Sequence, residues 1–140
     1  MDELFMNILE NIDFYGKDIR EYSPLVLAYL GDAVYEVFIR TYVVSKNNVP
    51  VCKLHKYSTS YVKAKAQSDI IHKILEYLTQ DEQDIVRRGR NAKSATIPKN
   101  ADVTEYKYAT GLESLIGYLY LKKDYERLLK ILVMCIESAT

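Results

Sequence analysis

Apolar and polar residues alternate along this chain with a helical period. DELFMNILENI, residues 2–12, repeats its apolar positions every three or four residues and predicts a short amphipathic helix. Tyr15–Glu21 reads as a connector. Ser23 followed by Pro24 is a helix start, an N-cap and then proline at the first helical position. From there SPLVLAYLGDAVYEVFIRTYVVSK predicts one long helix over Ser23–Lys46, ended by NNVP at Asn47–Pro50. Val51–Leu78 reads as mostly helix with a break near the Ser58–Ser60 cluster. Thr79 with Glu82 three residues on makes a capping box that opens a helix to about Gly89. Arg87–Asp102, RRGRNAKSATIPKNAD, has no apolar periodicity and predicts a long polar loop. A further helix covers roughly Val103–Leu121, Lys122–Asp124 is a turn, and an amphipathic helix over Tyr125–Glu137 closes the chain. Hairpin signals and internal repeats are missing. The expected fold is all-α, a single domain over residues 1–140 with about six to seven helices.

The long helix poses the chemical question. It is apolar nearly all the way round, the mark of a buried helix. Yet Asp32, Glu36 and Arg40, spaced i, i+4, i+8, place three charges on one stripe. Pro24–Val44 is long enough to span a bilayer, but each central charge costs roughly 2.5–3.5 kcal/mol on insertion scales. A soluble protein is expected. The acidic N-terminus lacks a basic n-region and is no signal peptide. Cys52 and Cys135 lie far apart without a CxxC pair, which argues against disulfides and zinc and for a reduced, cytoplasmic setting. His55 and His72 have no ligand-spaced partner, and neither cysteine has an activating context. No GxxxxGK[ST] or GxGxxG pattern points to a nucleotide cofactor.

A second helix shares the design of the first. In YKYATGLESLIGYLYL, Tyr106–Leu121, the acid Glu113 precedes an apolar run with Gly117 one turn on. Glycine inside a helix costs about 1 kcal/mol against alanine, so Gly31 and Gly117 mark a close approach. Packed face to face, the two helices would bring Asp32 and Glu113 together. Two carboxylates so placed repel unless a cation neutralises them, and Mg²⁺ suits one or two carboxylates, waters and phosphate oxygens. The competing reading pairs Asp32 with Arg40 or another base and Glu113 with Lys107 or a chain terminus as structural ions, because buried charges are usually paired. On spacing alone the two readings stand level.

Charge changes the picture through its distribution. Lys+Arg and Asp+Glu are both 19, yet residues 40–99 carry twelve bases against Asp69, Glu76, Asp81, Glu82 and Asp84. A basic middle of this kind can meet a polyanion, although a solvated charged face explains the same counts. The polar loop offers Arg87, Arg88, Arg90, Lys93 and Lys99, with Asn91, Ser94, Thr96 and Asn100 as hydrogen-bonding groups for sugar or phosphate. HKYSTSYVKAKAQ, His55–Gln67, adds Lys63, Lys65 and Gln67 as further candidates for the same polyanion, although lysines on an exposed helix face usually serve solvation alone.

LAYLGDAVYEVFIRTYVV resembles the signature helix of the ribonuclease III catalytic domain, and GLESLIGYLYL resembles that family's downstream acidic element. SYVKAKAQ and RRGRNAKSATIPKN are similar to the small bacterial Mini-III subgroup, and the four motifs follow in the family's order over about Tyr22 to Glu137. The resemblance implies catalytic, metal-binding roles for Asp32 and Glu113, with Mg²⁺ as cofactor and Mn²⁺ as a substitute. Glu36 and Arg40 are left as support. Two acids of the family pattern are replaced, by Ala28 and Thr110, which implies a smaller metal sphere. The chain ends without the double-stranded-RNA-binding domain of longer relatives, so duplex affinity would fall to the loop and the lysine helix. Also implied are a homodimer that cuts both strands of an RNA duplex, leaving 5′-phosphate ends, and maturation of large-subunit ribosomal RNA precursors with ribosomal-protein assistance. A non-catalytic RNA-binding module of the same fold and a helical interaction protein with structural acids are the rival expectations.

Overall fold

The computed structural model describes residues 2–12, 18–93 and 97–139; Ser94, Thr96 and the first residues of the Tyr15–Glu21 connector lie outside these. Within them the chain is all-α. Helices α1 (Asp2–Glu10), α2 (Pro24–Lys46), α3 (Val51–Val62), α4 (Ala64–Ile74), α5 (Gln80–Asn91), α6 (Val103–Leu121) and α7 (Tyr125–Ser138) follow in order, with 3₁₀ turns at Ile19–Glu21 and Leu75–Tyr77. Local chemistry sets most boundaries. The Ser23 hydroxyl caps α2 by accepting from Val26 N. At α5 the Thr79 hydroxyl accepts from Glu82 N while Glu82 accepts from Thr79 N, the expected reciprocal box. Lys123, at φ 65°, makes the turn from α6 into α7.

Two boundaries differ from the sequence expectation. The break in 51–78 falls at Lys63, whose extended backbone (φ −64°, ψ 152°) separates α3 from α4, and not at Ser58–Ser60. Ser60 donates to Tyr57 O and Thr59 to His55 O, so their hydroxyls fold back onto the helix without stopping it. Likewise Arg87–Asn91 is not loop. These residues are the last turns of α5, which continues because Ile85, Val86 and Gly89 form a buried face.

Helix α6 is the centre. From Ala109 to Tyr120 every residue but Glu113 is buried, and α2, α4, α5 and α7 pack around it. Glycine permits two of these contacts. A Cβ on Gly31 would overlap the Glu113 carbonyl oxygen and stand 2.8 Å from Gly117 N, and one on Gly117 would overlap Leu27 O. On the other side, a Cβ on Gly111 would lie 2.7 Å from Val86 O. Backbone therefore touches backbone on both flanks of α6. A separate clamp joins α5 to α7. Arg127 donates through Nε and a terminal nitrogen to the two oxygens of Glu82, each at 2.8 Å, and to Tyr77 O at 3.1 Å. Burial works against the Glu82 charge, but this fork and the Thr79 amide outweigh it and hold the carboxyl below its ordinary range. Among the described residues no helix is long and apolar enough to cross a membrane.

An alanine at position 31 gains helix propensity but meets the α6 backbone, which cannot swing aside as a flexible side chain could. Gly31→Ala is expected to cost about 3 kcal/mol, the upper part of the overpacking range, read as a lower denaturant midpoint at unchanged slope.

Candidate active site

The crossing of α2 and α6 delivers the site. Because α6 meets Gly31 with the carbonyl of Glu113 itself, the closest point of the crossing lies one residue from Asp32. The two carboxyl groups lie close enough to perturb each other. Asp32 faces solvent and Glu113 is half-buried. Together with Leu25, Ala28, Tyr29, Tyr106 and Thr110 they line an open cleft of about 240 Å³. The expected meeting of Asp32 and Glu113 is thus observed. Neither acid has a base as partner in the ion pairs of the described residues: Arg40 Nε donates to Glu36 Oε2 at 3.0 Å, one turn away.

Electrostatics show what this arrangement costs. Burial and then the neighbouring Asp32 push the Glu113 carboxyl up to about 9. Glu36 adds to the rise, while the Gln67 side chain opposes it. Such a pair is either a shared proton or a seat for a cation. The donor set is hard oxygen only, open on one side, and limited to two carboxylates, since no three metal-ligating side chains converge among the described residues. That set fits Mg²⁺, which keeps several waters, and does not fit an all-protein zinc or calcium cage.

The nucleic-acid candidates divide. Lys63 sits exposed at the α3–α4 break, and Lys65, also exposed, pairs with Asp69 at 3.3 Å. Arg87 is exposed beside Asp84 at 3.0 Å, and Arg88, Asn91, Lys93 and Lys99 face solvent. Arg90 is half-buried, its guanidinium 5.5 Å from the Tyr108 ring centre, donating to the Tyr108 hydroxyl and to Asn91 Oδ1. His72 of α4 packs on the same ring at 4.2 Å, so Tyr108 joins the lysine helix to the end of α5. Gln67 is a correction. At 2% exposure it offers RNA no surface, because it points inward from α4 toward Val62 O and Glu113.

Sequence reasoning missed Tyr29 and Tyr106 in the cleft, although their spacing announces them. Tyr29 stands three residues before Asp32, and Tyr106 and Thr110 seven and three before Glu113, each on the acid's own helix face. Ala28 and Thr110, the two replaced acid positions, both line the cleft.

Residues 25–124, from the start of α2 to the turn before α7, match the model of the Ribonuclease III domain. The chain belongs to the ribonuclease III family of endoribonucleases. It is similar to Mini-ribonuclease 3 of Thermoanaerobacter sp. (strain X514), 49% identical over 138 residues, which cover 98% of this chain and 97% of that one. It is also 51% identical over 125 residues to Mini-ribonuclease 3 of Clostridium tetani, covering 89% and 83% of the two chains. Among solved structures, a crystal structure of a Fusobacterium nucleatum protein matches with a TM-score of 0.77 at 43% identity, covering 87% of this chain and 98% of that one. Family membership and the helical architecture agree.

The raised Glu113 carboxyl makes stability pH-dependent with a definite sign. A carboxyl held above its unfolded value of about 4.3 contributes fully below that value, and the contribution is lost as pH rises toward about 9. Without divalent cations, thermal stability of the wild type is expected to decline from pH 5 to pH 9. Glu113→Gln, which mimics the protonated form, should flatten that decline in a melting series across the same window.

Proposed function

We propose that the protein is a Mg²⁺-dependent endoribonuclease that cleaves double-stranded RNA as a cytoplasmic homodimer and matures the ends of large-subunit ribosomal RNA precursors. The observation that carries the reading is the Asp32–Glu113 pair at the mouth of an open cleft, two acids with no ion-pair partner among the described residues. The names of the relatives support an RNA substrate.

In this reading Asp32 and Glu113 would hold the cation from two helices, Asp32 being the more exposed of the two. Bound there, Mg²⁺ supplies charge that activates the attacking water and offsets the phosphate oxygens. Water adds to phosphorus, the P–O3′ bond breaks, and the proton ends on the leaving 3′ oxygen, giving 5′-phosphate and 3′-hydroxyl ends. Tyr29 and Tyr106 wall the cleft. Lys63, Lys65, Arg87, Arg88, Lys93 and Lys99 offer cations to the duplex backbone, where an A-form helix is recognised by shape. Glu36 and Arg40 neutralise each other beside the site.

The dimer is supported by what α2 leaves uncovered. Val26, Tyr29, Val37 and Val44 stand on one face at 51%, 84%, 54% and 59% exposure. An apolar stripe of this length on a monomer marks an interaction site. Two copies joined along it would bring two clefts side by side, one for each strand.

Two measurements test this. With duplex RNA and Mg²⁺, the wild type should cut, while Asp32→Asn and Glu113→Gln should cut on the order of 100-fold more slowly, the scale of losing one preorganised electrostatic contact. Binding without any cutting would replace this reading by that of a non-catalytic duplex-RNA-binding module, and indifference to RNA at low salt by that of a helical interaction protein. For the assembly, Val37→Glu places a charge mid-stripe outside the cleft. Light scattering should report a dimer for the wild type and a monomer for the variant; a monomeric wild type would sink the dimer.

A further inference from the structure

Gln67 is the polar residue whose placement the reaction as derived does not explain. It lies on the first turns of α4 at 2% exposure, just past the break at Lys63. Its Nε2 donates to Val62 O at 3.0 Å, and the same side chain lies near enough to Glu113 to favour its charged form. Val62 O can only accept, so the amide nitrogen is the end that faces it. Among the described residues Oε1 then has no partner. A buried amide with an unmet acceptor destabilises a fold, and a leucine or methionine would fill the same space without that cost. Something other than packing keeps it.

The surrounding chain is built to present this donor. The last two carbonyls of α3 are taken by side chains: Tyr61 O by the Tyr35 hydroxyl at 2.9 Å, Val62 O by Gln67. One amide hydrogen is thereby anchored, which leaves the second available on the Glu113 side. The partner is also of the right kind. Lys or Arg at this position would satisfy Glu113 as an ion pair and take the place of a divalent cation. A neutral donor holds the carboxylate in place and leaves its charge free.

We propose that Gln67 is a positioning residue that holds the Glu113 carboxylate in its cation-binding geometry beside Asp32. The inference rests on the reading of that pair as a divalent-cation site. Removal of such an outer hydrogen bond lowers metal affinity by about 10- to 100-fold in metal sites generally.

The test uses the full chain and Mn²⁺ alone, without RNA, by titration calorimetry and by the rise in melting temperature that Mn²⁺ produces. Gln67→Met keeps the volume and removes the donor; its Mn²⁺ affinity should fall about tenfold or more. Gln67→Lys should lose Mn²⁺ binding while melting, without cation, at or above the wild-type temperature, because the ammonium pairs with Glu113. Wild-type Mn²⁺ affinity in a folded Gln67→Met or Gln67→Lys would overturn the proposal and leave the site intact. If the wild type itself binds no Mn²⁺, the cation-site reading falls and the role of Gln67 with it.

Discussion

Backbone contact between α2 and α6 at Gly31 and Gly117 is the constraint on which the rest depends. At this crossing there is no room for even a methyl group, since Glu113 O and Leu27 O occupy the positions where the two Cβ atoms would stand. The same closeness lets Leu27, Tyr35 and Ile39 of one helix and Leu112, Leu115 and Ile116 of the other belong to one continuous core. It also sets the separation of the two acids, because Glu113 contributes its carbonyl to the crossing and its carboxyl to the cleft. Packing and chemistry here share one geometric cause. A wider crossing would leave both acids ordinary surface residues.

The site is correspondingly a place where stability is given up. A carboxyl pushed up to about 9 by burial and a like charge works against folding at neutral pH, and the fold tolerates it only because the surrounding helices are over-determined. The contrast with Glu82 is instructive. That acid is also withdrawn from water but meets the Arg127 fork, and its carboxyl is held low. Two glutamates in one small protein are shifted in opposite directions by their partners, one to clamp α5 to α7 and one to stay reactive.

Around the cleft, the basic residues are less specialised than the acids. Arg87 and Lys65 have acidic neighbours on their own helices, and Arg88 and Arg90 lie in the last turn of α5, where cations complement the helix dipole. Their structural reasons are real. Tyr108 is what makes them one surface, by carrying His72 of α4 on its ring and Arg90 of α5 within reach of ring and hydroxyl.

Much was legible in the sequence because much of it is local. The cap at Ser23, the box at Thr79 and Glu82, and the 3.6-residue stripes of α2, α6 and α7 are set by residues within one or two turns of each other. Two glycines near acids in two apolar helices raised the pairing of Asp32 with Glu113 as one of two level readings, and the crossing of α2 and α6 decided for it. Three features were not legible. The break at Lys63 carries no glycine or proline, and the last two carbonyls before it are taken by Tyr35 from a distant helix and by Gln67 across the break. The helical state of Arg87–Asn91 follows from burial of Val86 and Gly89 against α6, which polar composition concealed. Gln67 reads as one more polar group on a lysine-rich helix until the fold turns it inward. By itself the sequence determined where helices begin and which faces are apolar, since those depend on neighbours along the chain. Only the tertiary structure decided which polar side chains face water and which face Glu113, because that depends on which helices stand alongside.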